Sequence, residues 1–364
     1  MNQLRLVFNG KFLTAPPTGV HRVAEELILA LDRLVAETPG LGSRIAGEVV
    51  HPAGARRQLP LQAFSIRQTG HLRSQLWEQF DLPRSANGHL LVNLCNLGPV
   101  LCRRAVTMFH DAQVRITPGS YSPAFRSFYR VMQPLIGRRH LRILTVSDYS
   151  RSQLAHYGVA RPEAVSVIHN GVDHVLRTTA EPCAAAAVGV EPGRYVVALA
   201  NTQVHKNVGA LFAAFSDPAL EGVKLVLFGA AGRSDFVAAG HAVPPSVVFA
   251  GRITDSRLRG LLESALCLAF PSTTEGFGLP PLEAMLLGCP VVAAPCGALP
   301  EVCGDAVLYA APDAPAAWAR AIAELAADPQ LHARLGAKGQ QHARQFTWAA
   351  AAERLLDVLE AVAQ

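Results

Sequence analysis

Short apolar runs alternate along the chain with stretches in which apolar residues recur every three to four positions, the patterns of buried strands and amphipathic helices. LRLVFNG (4–10) predicts a first strand. GVHRVAEELILALDRLVAE (19–37) predicts a helix with an apolar stripe through Val20, Val23, Ala24, Leu27, Leu31, Leu34 and Val35, and Thr18 stands where it can cap that helix. HLLVNL (89–94), AVTMFHD (105–111), RILTVSD (142–148) and VSVIHNGVD (165–173) read as further buried strands. Residues 173–192 then lose any period, are rich in small side chains, and read as a linker. A second series follows, with strands at YVVALAN (195–201), KLVLFG (224–229), SVVFAGR (246–252), CLAFPS (267–272), PVVAAP (290–295) and AVLYAAP (306–312). Helical patterns at 208–217, 255–265 and after 279 separate them, and two amphipathic helices, 314–329 and 348–363, close the chain. Such alternation predicts an α/β protein of two doubly wound parallel-sheet domains, 1–172 and 193–346, with an interdomain cleft lined by strand-to-helix loops.

Composition narrows the class. The chain has 364 residues, 50% hydrophobic and 17% charged, enough for two domains with real cores and without a low-complexity tract. No apolar run reaches the ~18 residues of a membrane-spanning helix, and MNQLRLVFNG lacks the regions of a secretory signal. A cytoplasmic protein is expected. The seven cysteines form no Cys-x-x-Cys pair and lie in apolar runs, so buried reduced thiols are expected and a metal site is not. The net charge of +5 suits a phosphate-bearing ligand or an anionic membrane surface. Nucleic acid is not expected, because no helix-turn-helix, RNA-recognition or zinc-finger pattern occurs.

The stretch PSTTEGFGLPPLEAM (271–285) sets Glu275 and Glu283 on either side of a Gly/Pro-rich elbow. The helix after it is expected to begin at Pro280 or Pro281 and end near Gly288, with Glu275 on the loop and Glu283 in the first helical turn. A helix start offers backbone N–H groups to an anion, glycines admit a ligand close to the backbone, and carboxylates accept hydrogen bonds from diols. That combination suits a nucleotide sugar. On geometry alone, Glu283 could equally be a charge complementing the helix dipole and Glu275 a solvated side chain.

The segment 272–309, with its Glu-x7-Glu pair, GFGLPPLEAM, PVVA and LPEV, closely resembles the donor-binding segment of retaining glycosyltransferase family 4, whose members have the GT-B fold of two Rossmann-like domains. The resemblance implies that Glu283 holds the ribose hydroxyls and Glu275 contacts the transferred sugar. It implies that the amides of Gly276, Phe277, Gly278 and Leu279 face that sugar and the distal phosphate. ANTQVHKNVGAL (200–211) resembles the family's phosphate-holding turn, placing Thr202, His205 and Lys206 at the donor, with Lys206 on the leaving diphosphate and His205 where the family carries arginine. TGVHRVAEEL (18–27) resembles the family's glycine loop, which brings Gly19 near the diphosphate. AVTMFHDA resembles its His-Asp element, with His110 positioning the donor sugar and Asp111 on the acceptor side. VVFAGRITD (247–255) resembles the strand and loop that hold the base, implying contacts from Arg252 and Ile253.

The first half resembles bacterial exopolysaccharide and lipopolysaccharide mannosyltransferases, and the last helix, 347–364, resembles the family helix that crosses back to the first, acceptor-side domain. The implied activity is retaining transfer of a sugar, first mannose from GDP-mannose, with UDP- and dTDP-sugars next, to a glycan or lipid-linked glycan of a surface polysaccharide or lipopolysaccharide. Lys206, Glu275 and His110 would carry the catalysis. No Asp-x-Asp motif occurs, so no metal or other cofactor is expected. Arg126, Arg130, Arg138 and Arg139 lie among aromatic and aliphatic residues, which fits either a patch for the inner membrane surface or a solvated helix face. Two other functions fit the architecture: a nucleotide-sugar epimerase and a silent scaffold in polysaccharide assembly.

Overall fold

A computed structural model describes residues 3–364, which form two compact units: residues up to 171 together with 347–364, and residues 172–346. In the first, strands β1 (Leu4–Asn9), β2 (Ile45–His51), β3 (Ser65–Gln68), β4 (Leu90–Asn93), β5 (Ala105–Met108), β6 (Arg142–Thr145) and β7 (Val165–Val167) make one sheet in the order β3-β2-β1-β4-β5-β6-β7. The second holds β8 (Tyr195–Ala200), β9 (Lys224–Gly229), β10 (Val247–Gly251), β11 (Cys267–Phe270), β12 (Val291–Ala293) and β13 (Leu308–Tyr309), ordered β10-β9-β8-β11-β12-β13. Every pairing in both sheets is parallel. Central strands such as LLVN and CLAF are buried at all four positions, because crossover helices cover both faces of a parallel sheet. In each unit the strand order reverses once, between β1 and β4 and between β8 and β11. Ligands of open α/β sheets bind beyond the carboxyl ends of the strands at such a reversal.

Thr18 caps the helix Gly19–Glu37 through His21 N–H, and the helix Trp348–Ala363 packs along it inside the first unit. Trp348 is fully buried there, and Gly171 lies so close that any Cβ would overlap the Trp348 backbone nitrogen.

Several elements escape the hydrophobic pattern, and three of them show why. β2 carries Ala46 and Gly47 where a strand would show larger residues, and β3, SIRQ, is an exposed edge strand without alternation. The helix Pro329–Ala343 contains Gly336 and Gly339, which lower helix propensity. Packing requires them: a Cβ at Gly336 would lie 2.5 Å from the Gly288 carbonyl oxygen, and one at Gly339 would lie 3.2 Å from Met285.

The stretch 173–192 is ordered within the second unit rather than a bare connector. It holds a 3-10 turn (Asp173–Arg177) and a short helix (Ala184–Ala187), and it is stitched to the helix Asp255–Ser264. Arg259 donates to the Thr178 carbonyl at 2.6 Å, and Arg257 ion-pairs with Glu181 at 2.7 Å. The expectation of uniformly buried thiols is also corrected. Cys267, Cys289 and Cys303 are buried, Cys95, Cys102 and Cys296 half-buried, and Cys183 exposed. Among the described residues, no three His, Cys, Asp or Glu side chains group together, and no helix is long and apolar enough to cross a membrane.

Candidate active site

In the second unit the loops leaving β8 and β11, neighbours at the strand-order reversal, are tied to each other. The chain leaves β8 at Ala200, makes a 3-10 turn (Val204–Lys206), and swings into the helix Val208–Ala214 through Asn207, whose φ of 52° is left-handed. Asparagine tolerates that conformation, and its side chain is used here. Asn207 Nδ2 donates to the carbonyls of Pro271 at 3.2 Å and Pro312 at 2.8 Å. Thr273 N–H donates to the His205 carbonyl at 2.8 Å. These bonds carry Lys206 to Glu275, 69 positions later: Lys206 Nζ lies 2.6 Å from Glu275 Oε1.

Glu275 is held from behind by the loop after β12, where Ala298 N–H donates to the Glu275 carbonyl at 3.0 Å. Gly297, at φ +63°, lies against the same backbone, and a Cβ there would stand 2.5 Å from Glu275 N. The helix beyond the elbow runs Leu279–Leu286, after Gly278 at φ +94°. It begins one residue before Pro280, so Glu283 is its fifth residue and lies beyond the first turn. That weakens its role as a charge for the helix dipole, which fades within one turn. Glu283 instead has a specific partner: His174 Nε2, on the turn Asp173–Arg177, lies 3.2 Å from Glu283 Oε1. The motif shows neither His174 nor Gly297. His174 falls in the stretch without a period, and Gly297 shows only as the glycine of CGALPEV (296–302).

The other expected residues divide between the units. Thr202 is exposed on the loop after β8, and Gly276 and Gly278 are buried in the elbow. Leu279 is half-buried as the first residue of the helix. Phe277 turns its ring inward, edge-on to Phe346 at 5.9 Å. Arg252, exposed, and Ile253, half-buried, follow β10 at the sheet edge, two strands from β8. Gly19, His110, Asp111 and the arginines of the helix Pro123–Arg139 belong to the first unit. Gly19 opens its helix in open space, where a Cβ would meet no atom within 4 Å, so the backbone there is approachable. His110 follows β5. Its backbone N–H donates to Asn96 Oδ1 at 2.8 Å and its Nε2 to the Leu94 carbonyl at 2.8 Å, which leaves Nδ1 as the acceptor. Asp111 accepts from Gln113 N–H at 2.9 Å.

Two known families match this sequence. One described as "Glycosyltransferase Family 4" matches residues 17–176, and one described as "Glycosyl transferases group 1" matches 193–328. The first half of the chain thus belongs to glycosyltransferase family 4 and the second to glycosyl transferases group 1. The transferase is 28% identical to O-antigen chain mannosyltransferase B of Escherichia coli, over 95% of this chain and 96% of that one. It is 30% identical to a D-inositol 3-phosphate glycosyltransferase of Segniliparus rotundus, over 70% of this chain and 61% of that protein's length. Its fold is similar to that of sucrose-phosphate synthase from Thermosynechococcus elongatus, with a TM-score of 0.73, 16% identity and 99% of each chain covered. The two doubly wound units are those of the GT-B fold.

His205, expected from the resemblance to stand at an arginine position, is a neutral imidazole. Burial and the adjacent Lys206 charge push the pKa of His205 down to about 4, against the pull of Glu275. His205 therefore contributes hydrogen bonding and no second positive charge. Burial likewise brings His110 and His140 to about 4. All three have an ordinary value of 6.5, so the unfolded chain takes up protons first. Their contribution to stability is complete above about pH 6.5 and is lost as pH falls towards 4. Urea unfolding of the transferase should show a falling midpoint across that window, and a His205→Asn variant should show a shallower fall. Identical slopes for the two proteins would remove His205 from this account.

Glu283→Ala should weaken GDP binding about tenfold or more, the loss of charge-assisted hydrogen bonds to a diol, while changing kcat less. Calorimetry with GDP measures it, and unchanged affinity would dissociate Glu283 from the nucleotide.

Proposed function

We propose that this transferase moves mannose from GDP-mannose, with retention of configuration and without a metal ion, to a lipid-linked saccharide of a surface polysaccharide or lipopolysaccharide. The observation that carries the reading is the Lys206–Glu275 pair at the strand-order reversal of the second unit, with Glu283, on the helix that follows Glu275, backed by His174 from the turn Asp173–Arg177. Lys206 would neutralise the charge developing on the leaving diphosphate. Glu275, which accepts from Lys206 through one oxygen, would orient sugar hydroxyls with its remaining lone pairs. The bond from the anomeric carbon to phosphate breaks as the bond to the acceptor oxygen forms on the same face, and the departing phosphate oxygen takes the acceptor proton. His110 Nδ1 would accept a hydrogen bond from the donor sugar. Mannose is supported by the near full-length similarity to an O-antigen mannosyltransferase.

A membrane-bound acceptor is supported by the helix Pro123–Arg139, where Phe125, Phe128 and Val131 are exposed beside Arg130, Arg138 and Arg139, with Arg126 half-buried. Exposed rings and cations on one element suit an anionic interface.

The test supplies purified protein with GDP-mannose, UDP- and dTDP-sugars and a lipid-linked saccharide, and follows the anomeric proton of the product by NMR. An α-linked mannoside that persists in EDTA supports the reading. A β-linked product, or activity lost in EDTA and restored by a divalent ion, overturns the corresponding part. Release of an epimerised nucleotide sugar would make the protein an epimerase, and neither turnover nor hydrolysis would make it a scaffold. Co-sedimentation with vesicles containing phosphatidylglycerol, against phosphatidylcholine alone, tests the membrane surface.

A further inference from the structure

The first sheet has its own strand-order reversal, between β1 and β4, and a cavity of about 580 Å³ lies there, lined by Asn9 at the end of β1, Lys11 just after it, and Cys95 and Leu97 after β4. None of the expected site residues lines it. Its volume is that of a small-ligand pocket. A charge pair is built into the wall: Lys11 Nζ lies 2.6 Å from Glu78 Oε2, with the Glu78 side chain 3% exposed and that of Lys11 24%. Asn9 Nδ2 donates to the other Glu78 oxygen at 2.7 Å, and Asn9 Oδ1 accepts from Lys11 N–H at 3.1 Å. Glu78 lies on a single π-helical turn, Trp77–Asp81, and nearby Ser74, also in the lining, has a left-handed φ of 56°. Isolated π turns and non-glycine residues at positive φ cluster at functional sites.

A buried ion pair is an inefficient way to stabilise a fold, since desolvation offsets most of the attraction. In a cavity wall it becomes a fixed donor beside a fixed acceptor. Lys11 keeps N–H groups beyond the one given to Glu78, and each Glu78 oxygen keeps a lone pair. Adjacent hydroxyls of a sugar ring can accept from the first and donate to the second. Two more cations, Arg56 and Arg73, line the same cavity from exposed loops, and neither has a salt-bridge partner among the described residues. Against one carboxylate the lining thus sets three positive charges.

We propose that this cavity binds a saccharide carrying an anionic substituent, with Lys11 and Glu78 reading its hydroxyls and Arg56 and Arg73 its charge, and that it is the acceptor pocket of the transferase. The assignment as acceptor pocket rests on the reading of the first unit as the acceptor side.

Calorimetry at low ionic strength on the whole protein, with mannose 6-phosphate, glucose 6-phosphate, the two free sugars, inorganic phosphate and GDP, tests it. One sugar phosphate should bind at a single site at least about tenfold tighter than its neutral parent and than inorganic phosphate. Arg56→Gln/Arg73→Gln, changed only at exposed positions, should melt like the wild type and lose that preference. Glu78→Gln should weaken both the sugar and its phosphate. Every variant should bind GDP as the wild type does. Equal affinity for phosphorylated and free sugars, no binding of any sugar, inorganic phosphate matching the sugar phosphates, or a preference that survives in the arginine variant would each overturn the proposal. Sugar phosphate binding without GDP binding would uphold the pocket and bring down the donor reading instead.

Discussion

Replacing Lys206 with methionine is expected to lower kcat by roughly 10²–10³-fold, the usual cost of removing one preorganised group that stabilises transition-state charge. Here the loss should stand near the top of that range, because His205 beside it is held neutral and supplies no second cation. The substitution also leaves Glu275, only 8% exposed, without the ammonium 2.6 Å away. A stranded carboxylate could depress activity by itself. Lys206→Met/Glu275→Gln separates the two causes: if the stranded charge were responsible the double variant would recover, and it is expected to remain as slow as Lys206→Met or slower. Single-turnover measurement with saturating donor reads the step directly. Turnover within threefold of wild type would remove Lys206 from catalysis.

Gly297→Ala should be nearly as damaging without touching a charged group. Its left-handed backbone, φ +63°, disfavours any Cβ, and the new carbon would lie 2.5 Å from the amide nitrogen of Glu275 and 2.7 Å from its carbonyl oxygen. Backbone cannot rotate aside as a side chain can, so the loop bearing Glu275 must move. A stability loss of about 2–4 kcal/mol and a fall in kcat of at least about tenfold are expected. Gly288→Ala is the control: Gly288 also has a left-handed φ, +77°, but a Cβ there meets nothing within 4 Å. Differential scanning fluorimetry and steady-state rates on both variants isolate the collision from the dihedral cost. Equal behaviour of the two would show that the Glu275 loop tolerates displacement.

The periodicity disclosed the strands whose burial is continuous and the helices whose stripe is clean, because in those elements burial alone dictates residue type. β3 was illegible because an edge strand is held by backbone pairing to β2, which any polar side chain permits. The helix Pro329–Ala343 was illegible for the opposite reason, since close approach to its neighbours demanded the two glycines that argue against a helix. At the site, Glu275 and Glu283 stood out by their spacing around the elbow, and Lys206 only by the resemblance of its turn to the family's phosphate-holding turn. The support behind them did not. His174 reaches Glu283 from a distant stretch of the chain, and no local pattern encodes such a contact. The cavity at β1 and β4 was equally hidden, since Lys11, Arg56, Arg73 and Glu78 come from separate segments that only the fold assembles.

The membership of the helix Trp348–Ala363 in the first unit has a consequence for synthesis. A ribosome delivers all of residues 172–346 before that helix emerges, so until then the face of Gly19–Glu37 that it covers has no partner. All seven strands of the first sheet precede residue 171, so only the helix layer over Gly19–Glu37 is left to complete. The packing of that helix along Gly19–Glu37 is thus a contact that closes only after the whole of the second unit has been made.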